Sequence, residues 1–244
     1  MVNKWSNFRQ FLHLKGRCLV CGEAPKTVPG LCNSCDQKIQ RIERPCYQCG
    51  EPMHFNPSSH KCGRCQSSPP AFDHSVSPLL YSDPLRQLHL NFKFHQDLAA
   101  GNLLANLLAN LLANLLYDSL SHSNAMPQLL VPIPLHAERM RERGFDQALE
   151  IAKVLARRLQ IPFHSGLLVR KNCTQPQSGL SRAQRHKNLR NAFTLTQPLP
   201  VKHVALVDDI MTTGSTFNAA AQLMKTAGVK TVEVWAVGRI TRDE

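Results

Sequence analysis

Eight of the nine cysteines in this 244-residue chain stand in four C-x-x-C pairs: Cys18/Cys21, Cys32/Cys35, Cys46/Cys49 and Cys62/Cys65. No other feature restricts the fold more. The segment that carries them holds few large apolar side chains and is too short for a self-sufficient core, so it needs staples. Disulfides would suit a secreted protein. However, the opening MVNKWSNFRQFLHLKGRC has no apolar stretch of signal-peptide length and no small-residue cleavage site. The expected location is therefore cytoplasmic, where thiols stay reduced. A two-residue spacing lets both thiolates of a pair face one ion, and two pairs complete a tetrahedral S₄ site. The expectation is structural Zn²⁺, two ions per chain, with iron as the alternative metal for such ligands. Ten residues separate the first two pairs and twelve the last two, both suited to a short hairpin or loop. The grouping 18/21/32/35 and 46/49/62/65 is the simpler; an interleaved one stays open on spacing alone. His54 and His60 are read as loop residues. A closed S₄ site has no open coordination position, so it stabilises a fold and does no chemistry.

Charge narrows the partners. The chain carries 29 Lys+Arg against 17 Asp+Glu, a formal +12. Two Zn²⁺ on eight thiolates would lower this to roughly +8. The excess is uneven: between His136 and Arg190 stand twelve Lys/Arg and only four acids. Phosphorylated metabolites, nucleic acid or an acidic surface fit such a chain, and a solvated basic face is the plain alternative.

QSSPPAFD at 66–73 marks a linker. Residues 1–66 are expected to form the metal-stapled unit, 67–71 the linker and 72–244 the main domain. HSVSPLLY reads as a strand and DPLRQLHLNFKFHQ as a short amphipathic helix entered through Asp83 and Pro84. NLLANLLANLLANLL, residues 102–116, is a tetrapeptide repeat of helix formers. Its period of four against 3.6 makes the asparagine row drift by about 40° per repeat. A membrane span would need more length and would bury four asparagines in lipid, so a buried helix is expected and no transmembrane segment. LLVPIP reads as a strand and residues 136–160 as one helix, with Arg139, Arg141 and Arg143 near its start. Strand, arginine loop and helix N-terminus together suit an anion. Residues 171–193 form a long polar segment with Lys171, Arg182, Arg185, Lys187 and Arg190, the composition of a closing loop or of a strip for single-stranded nucleic acid.

HVALVDD reads as a buried strand, IMTTGST as a tight loop, FNAAAQLMKTAG as a helix and VKTVEVWAVGRI as a second strand. Such a βαβ unit implies a parallel sheet, which binds ligands at its carboxyl edge. There two scarce acids, Asp208 and Asp209, stand side by side. Behind them, Thr212, Thr213, Gly214, Ser215 and Thr216 offer hydroxyls and backbone N–H groups at a helix start, a cradle for a phosphate monoester. Neither a Walker loop nor a G-x-G-x-x-G fingerprint occurs.

This stretch, VALVDDIMTTGST, resembles the phosphoribosyl-pyrophosphate (PRPP) motif of type I phosphoribosyltransferases. The resemblance implies that Asp208 and Asp209 hold the ribose hydroxyls and act in catalysis, and that Thr212, Thr213, Gly214, Ser215 and Thr216 hold the 5′-phosphate. The C-x-x-C pairs together with VPIPLHAERMRERGFDQA and SGLSRAQRHKNLRNAF extend the likeness to nearly the whole chain: it resembles the ComF family, including its GntX-like members. What that implies is a double zinc ribbon followed by an α/β phosphoribosyltransferase-like domain, a parallel sheet flanked by helices. It further implies a role in natural competence, the uptake and use of external DNA, with DNA-uptake machinery proteins as partners. The family's RERGFNQ stands here as RERGFDQ, so Asp146 is kept out of the ligand site. The reaction implied is displacement of pyrophosphate at the anomeric carbon, with Mg²⁺ bridging pyrophosphate and ribose oxygens. Arg139 and Arg143 are candidates for the pyrophosphate, and Arg182 and Arg185 for a loop that excludes water. The acceptor base is not legible; Thr212 stands where some purine-specific relatives resemble this motif with an Asp. The rival expectation is a non-catalytic protein that binds single-stranded DNA and takes PRPP or a nucleotide as regulator.

Overall fold

The computed structural model describes residues 17–23, 30–53, 59–119, 126–171 and 192–241. The main domain is built on a parallel sheet. Its strands are β1 (His74–Val76), β2 (Leu79–Leu80), β3 (Leu129–Pro132), β6 (His203–Met211) and β7 (Thr231–Arg239). Their order is β1–β7–β6–β3, with β2 continuing beside β7. A separate antiparallel pair joins β4 (Leu168–Arg170) to β5 (Phe193–Leu195). The helices, in chain order, are α1 (Asn33–Lys38), α2 (Gly63–Ser67), α3 (Leu85–His95), α4 (Leu98–Ser119), α5 (Ala137–Arg143), α6 (Gln147–Leu159) and α7 (Ser215–Thr226).

The central strands are apolar because both faces are covered. On β6, Ala205 and Val207 face one core with Trp235, Val237 and Ile151. Val204 and Leu206 face the other with Val232, Val234, Phe217 and Met224. The first core continues into the cysteine-rich segment, where Leu31, Cys32, Cys35 and Ile39 pack with Leu103, Leu104 and Leu108 of α4. The tetrapeptide helix is thus a shared wall. Its leucines and alanines at 103–105 and 107–109 are buried, while Asn102 and Asn110 are exposed. Asn106 Nδ2 donates to the Asn102 carbonyl at 2.8 Å, and Arg158 Nη2 to Asn110 Oδ1 at 2.7 Å. Among the described residues no helix is long and apolar enough to cross a membrane.

Two expected elements differ. HSVSPLLY forms two short strands rather than one: Ser77 and Pro78 break it, and the Pro78 carbonyl instead accepts the Ile42 N–H at 2.8 Å. With the Leu80 N–H donating to Gln40 at 2.9 Å, the cysteine-rich segment covers that sheet edge. Residues 136–160 form two helices, not one. Gly144 ends α5 in a left-handed conformation (φ 74°), which glycine adopts without cost. Asp146 then starts α6, its Oδ1 accepting the Leu149 N–H at 3.1 Å.

Candidate functional site

The eight cysteines gather in sequential order. Cys18, Cys21, Cys32 and Cys35 bring their sulfurs within 4.8 Å of one another, and Cys46, Cys49, Cys62 and Cys65 do the same. Each quartet uses the same local geometry. The first pair sits on a knuckle: the Cys18 N–H donates to Glu23 at 2.6 Å and the Cys46 N–H to Glu51 at 2.7 Å. Gly22 and Gly50 complete those turns at positive φ (78° and 69°). The second pair opens a short helix, with Cys32 and Cys62 as N-caps of α1 and α2. The sulfurs of Cys21 and Cys32, and of Cys49 and Cys62, lie 3.7 Å apart. Tetrahedral Zn–S bonds of about 2.3 Å put sulfurs about 3.8 Å apart, so the quartets fit zinc. The hydrogen bond from Cys49 pulls Cys46 down to about 4, while burial lifts Cys65 to about 12. Four thiolates this close need a cation between them. His60 is held through its backbone carbonyl by the Tyr47 N–H at 2.9 Å. His54 lies outside the described residues.

Asp208 and Asp209 end the apolar half of β6, three and two residues before its close at Met211. All strands of the sheet run parallel, so this is its carboxyl edge. Asp208 Oδ1 accepts the Asp209 N–H at 2.9 Å, and Asp209 Oδ1 the Ile210 N–H at 2.7 Å. The other oxygen of Asp209 lies 2.9 Å from Nε2 of His89 on α3, and Nδ1 of that ring lies 2.9 Å from the Tyr81 hydroxyl. With Asp209 ionised, Nε2–H donates to the carboxylate and, in the neutral ring, Nδ1 accepts from Tyr81. Burial opposes charge on Asp209. The His89 hydrogen bond and the nearby charges of His89 and Lys93 overcome it and hold the carboxyl at about 2. Asp208 goes the other way: burial, then the charges of Asp209 and Asp146, push it well above the carboxylate range.

The loop after the acids narrows to one geometry. Gly214 takes φ 76°, and a Cβ there would stand 2.8 Å from Met211 Cε. Thr213 and Ser215 share a hydroxyl contact of 2.7 Å. Helix α7 begins at Ser215 after Gly214, which offers no side-chain cap; the Ser215 N–H instead donates to Thr213 Oγ1 at 3.3 Å. Thr212 and Thr213 are exposed, while Ser215 and Thr216 are partly buried.

Residues 14–66 match the family model of the double zinc ribbon domain, and residues 146–238 that of the phosphoribosyl transferase domain. Competence protein F of Haemophilus influenzae is 34% identical over 227 residues, covering 91% of this chain and 96% of that protein. This chain belongs to the ComF family. DNA utilization protein YhgH of Escherichia coli is 33% identical over 230 residues, covering 93% of this chain and 99% of that protein. Competence protein ComFC of Streptococcus pneumoniae is 26% identical over 240 residues, covering 91% and 100%.

In this ComF-family chain the arginines divide. Helix α5 follows β3, which pairs with β6, and the Ile133 N–H donates to the Val207 carbonyl at 2.8 Å. Arg139 and Arg143 therefore stand at the edge that carries the acids. Arg139 is partly buried. Arg143 Nη1 donates to Gln147 Oε1 at 3.2 Å. Among the described residues no contact joins either to Asp208 or Asp209. Arg182, Arg185, Lys187, Arg190 and Cys173 lie outside the described residues. Sequence reasoning passed over His89 and Tyr81. It also passed over what Asp146 does: Oδ2 accepts the Leu135 N–H at 3.0 Å, tying the β3 loop to α6. The one available signal for His89 was its place on the stripe of Leu85, Leu88 and Phe92, all buried on α3.

Proposed function

We propose that this chain binds PRPP with Mg²⁺ at the carboxyl edge of its sheet and acts as a phosphoribosyltransferase-like protein in the uptake and use of external DNA. The observation that carries the reading is the pair Asp208–Asp209 at the carboxyl edge, with Asp209 Oδ2 2.9 Å from Nε2 of His89, beside a helix start on a glycine turn. Asp208 and Asp209 take the ribose hydroxyls; Thr212, Thr213, Ser215 and Thr216, with the N–H groups that the Gly214 turn exposes, take the 5′-phosphate. Mg²⁺, when bound with PRPP, would supply positive charge to the leaving pyrophosphate. The chain itself orients the sugar and places negative charge against the cationic anomeric carbon. Arg139 and Arg143 serve the pyrophosphate, and Arg182 and Arg185 the closing loop. The names of the relatives, competence protein and DNA utilization protein, support the biological setting. The cysteine quartets hold structural zinc.

Calorimetry with PRPP and Mg²⁺ tests the pocket. Wild type is expected to bind, and Asp208→Asn/Asp209→Asn to lose the heat; a silent wild type would sink the reading. Pyrophosphate release across a panel of bases then tests turnover. The basic run between His136 and Arg190 favours a second reading, non-catalytic binding of single-stranded DNA with PRPP as regulator. On that reading the base panel stays silent, and the slope of DNA affinity against salt flattens when partly buried Arg139 and exposed Arg141 become Ala.

A further inference from the structure

Arg239, the last residue of β7, has no solvent exposure. A buried guanidinium is expensive unless every donor is met, and here the partners come from two distant parts of the chain. Nε donates to the Cys49 carbonyl at 3.1 Å, and Nη2 meets the Glu51 carboxylate at 2.5 Å. Both belong to the knuckle of the second cysteine quartet. Nη1 lies against the carbonyls of Met211, at 3.1 Å, Thr212 and the adjoining Ile240, at 2.9 Å, as their donor. Met211 and Thr212 are where β6 ends and the threonine loop begins. Met211 is held a second time, its carbonyl accepting the Ile240 N–H at 2.9 Å, and its Cε is the atom that Gly214 must clear.

We propose that Arg239 is a positioning residue that anchors the phosphate loop to the second zinc knuckle, so that metal in the Cys46/Cys49/Cys62/Cys65 quartet and ligand on the loop stabilise each other. The ligand half of this statement rests on the PRPP reading above; the tether itself does not. The carbonyls of Met211 and Thr212 take their position from a planar fork whose other side is fixed by Cys49 and Glu51. A knuckle without its ion loses the fixed spacing of Cys46 and Cys49, and the fork loses its far anchor. The first quartet packs on α4 instead, so the coupling is confined to the second. Coupling between two sites is reciprocal: what the metal does for the ligand, the ligand does for the metal.

The test uses the zinc-loaded full chain, with Glu51→Gln and Arg239→Lys as variants. Amide exchange of the 211–217 peptide, without ligand, is expected to speed up about tenfold in both, a typical size for coupled sites. Timed alkylation followed by peptide mass spectrometry reads each quartet separately. In wild type, PRPP with Mg²⁺ should slow alkylation of Cys46, Cys49, Cys62 and Cys65 but not of Cys18, Cys21, Cys32 and Cys35, and both variants should lose that protection. A purely structural arginine would change stability without this reciprocity. Should Arg239→Lys fail to fold, Glu51→Gln decides alone, because it leaves the guanidinium and its carbonyl partners in place. Unchanged exchange of 211–217 in folded Glu51→Gln overturns the tether. A wild type that gives PRPP heat without protecting the second quartet overturns the coupling, whereas one that gives no PRPP heat refutes the ligand reading, and the exchange measurement then judges the tether by itself.

Discussion

Replacing His89 with Leu isolates the interaction that gives Asp209 its charge. The two side chains are almost enclosed, at 4% and 17% exposure, so their contact is little screened. The structure holds the Asp209 carboxyl at about 2 instead of 3.8. At about 1.4 kcal/mol per pH unit, that difference is worth about 2 kcal/mol. The sign follows from the direction: a depressed carboxyl stabilises the fold fully above its unfolded value near 3.8 and loses that contribution as pH falls toward 2. At pH 7 the whole effect is present. Thiolate zinc sites also release metal in acid, so the clean measurement is a double-mutant cycle at pH 7 in excess zinc. Wild type, His89→Leu, Asp209→Asn and the double variant are unfolded in urea and followed by intrinsic fluorescence. His89→Leu should cost about 2 kcal/mol or more, since it strands a buried carboxylate, and the double variant should recover about that much as coupling energy. Additivity within about 0.5 kcal/mol would refute the assignment of Asp209's ionisation to His89.

Gly214→Ala must strain a left-handed position and push Met211 Cε, so stability should fall by about 1–3 kcal/mol in thermal unfolding, with the PRPP heat lost. Normal PRPP binding by that variant would show that the turn does not shape the loop. Leu108→Ala opens a hole between α4 and the cysteine-rich segment and should cost about 2–5 kcal/mol in urea titration. Asn110→Ala, which removes only an exposed partner of Arg158, should stay within about 1 kcal/mol. Elemental analysis should find two zinc ions per chain, and one after Cys46→Ser; a full pair in that variant would contradict the sequential quartets.

Local patterns were legible where the chemistry is local. The C-x-x-C spacing announced both quartets, and the run from Val204 to Thr216 announced a strand, its acids, a glycine turn and a helix in that order. What failed to show depended on distance. His89 reaches Asp209 across 120 residues and Glu51 reaches Arg239 across 188, and neither pair has any sequence periodicity to mark it. A histidine in an apolar stripe and an arginine closing a buried strand were visible as oddities without partners. The single helix expected over 136–160 failed for a smaller reason: apolar spacing continues through Gly144, but its backbone turns left-handed there and hands the chain to Asp146.

Helix α4 has one more property. Each N-L-L-A unit advances a helix by about 6 Å and one turn plus about 40°. Tandem coding units of this kind gain or lose a copy when a template slips during replication. Here such an event keeps leucines facing Leu31 and α6 and moves the asparagines only slightly round the outside. The drift is already present in the chain: Asn102 and Asn114 stand three copies and about 120° apart, and both are exposed. Length variants among this chain's relatives should then differ here by whole tetrapeptides.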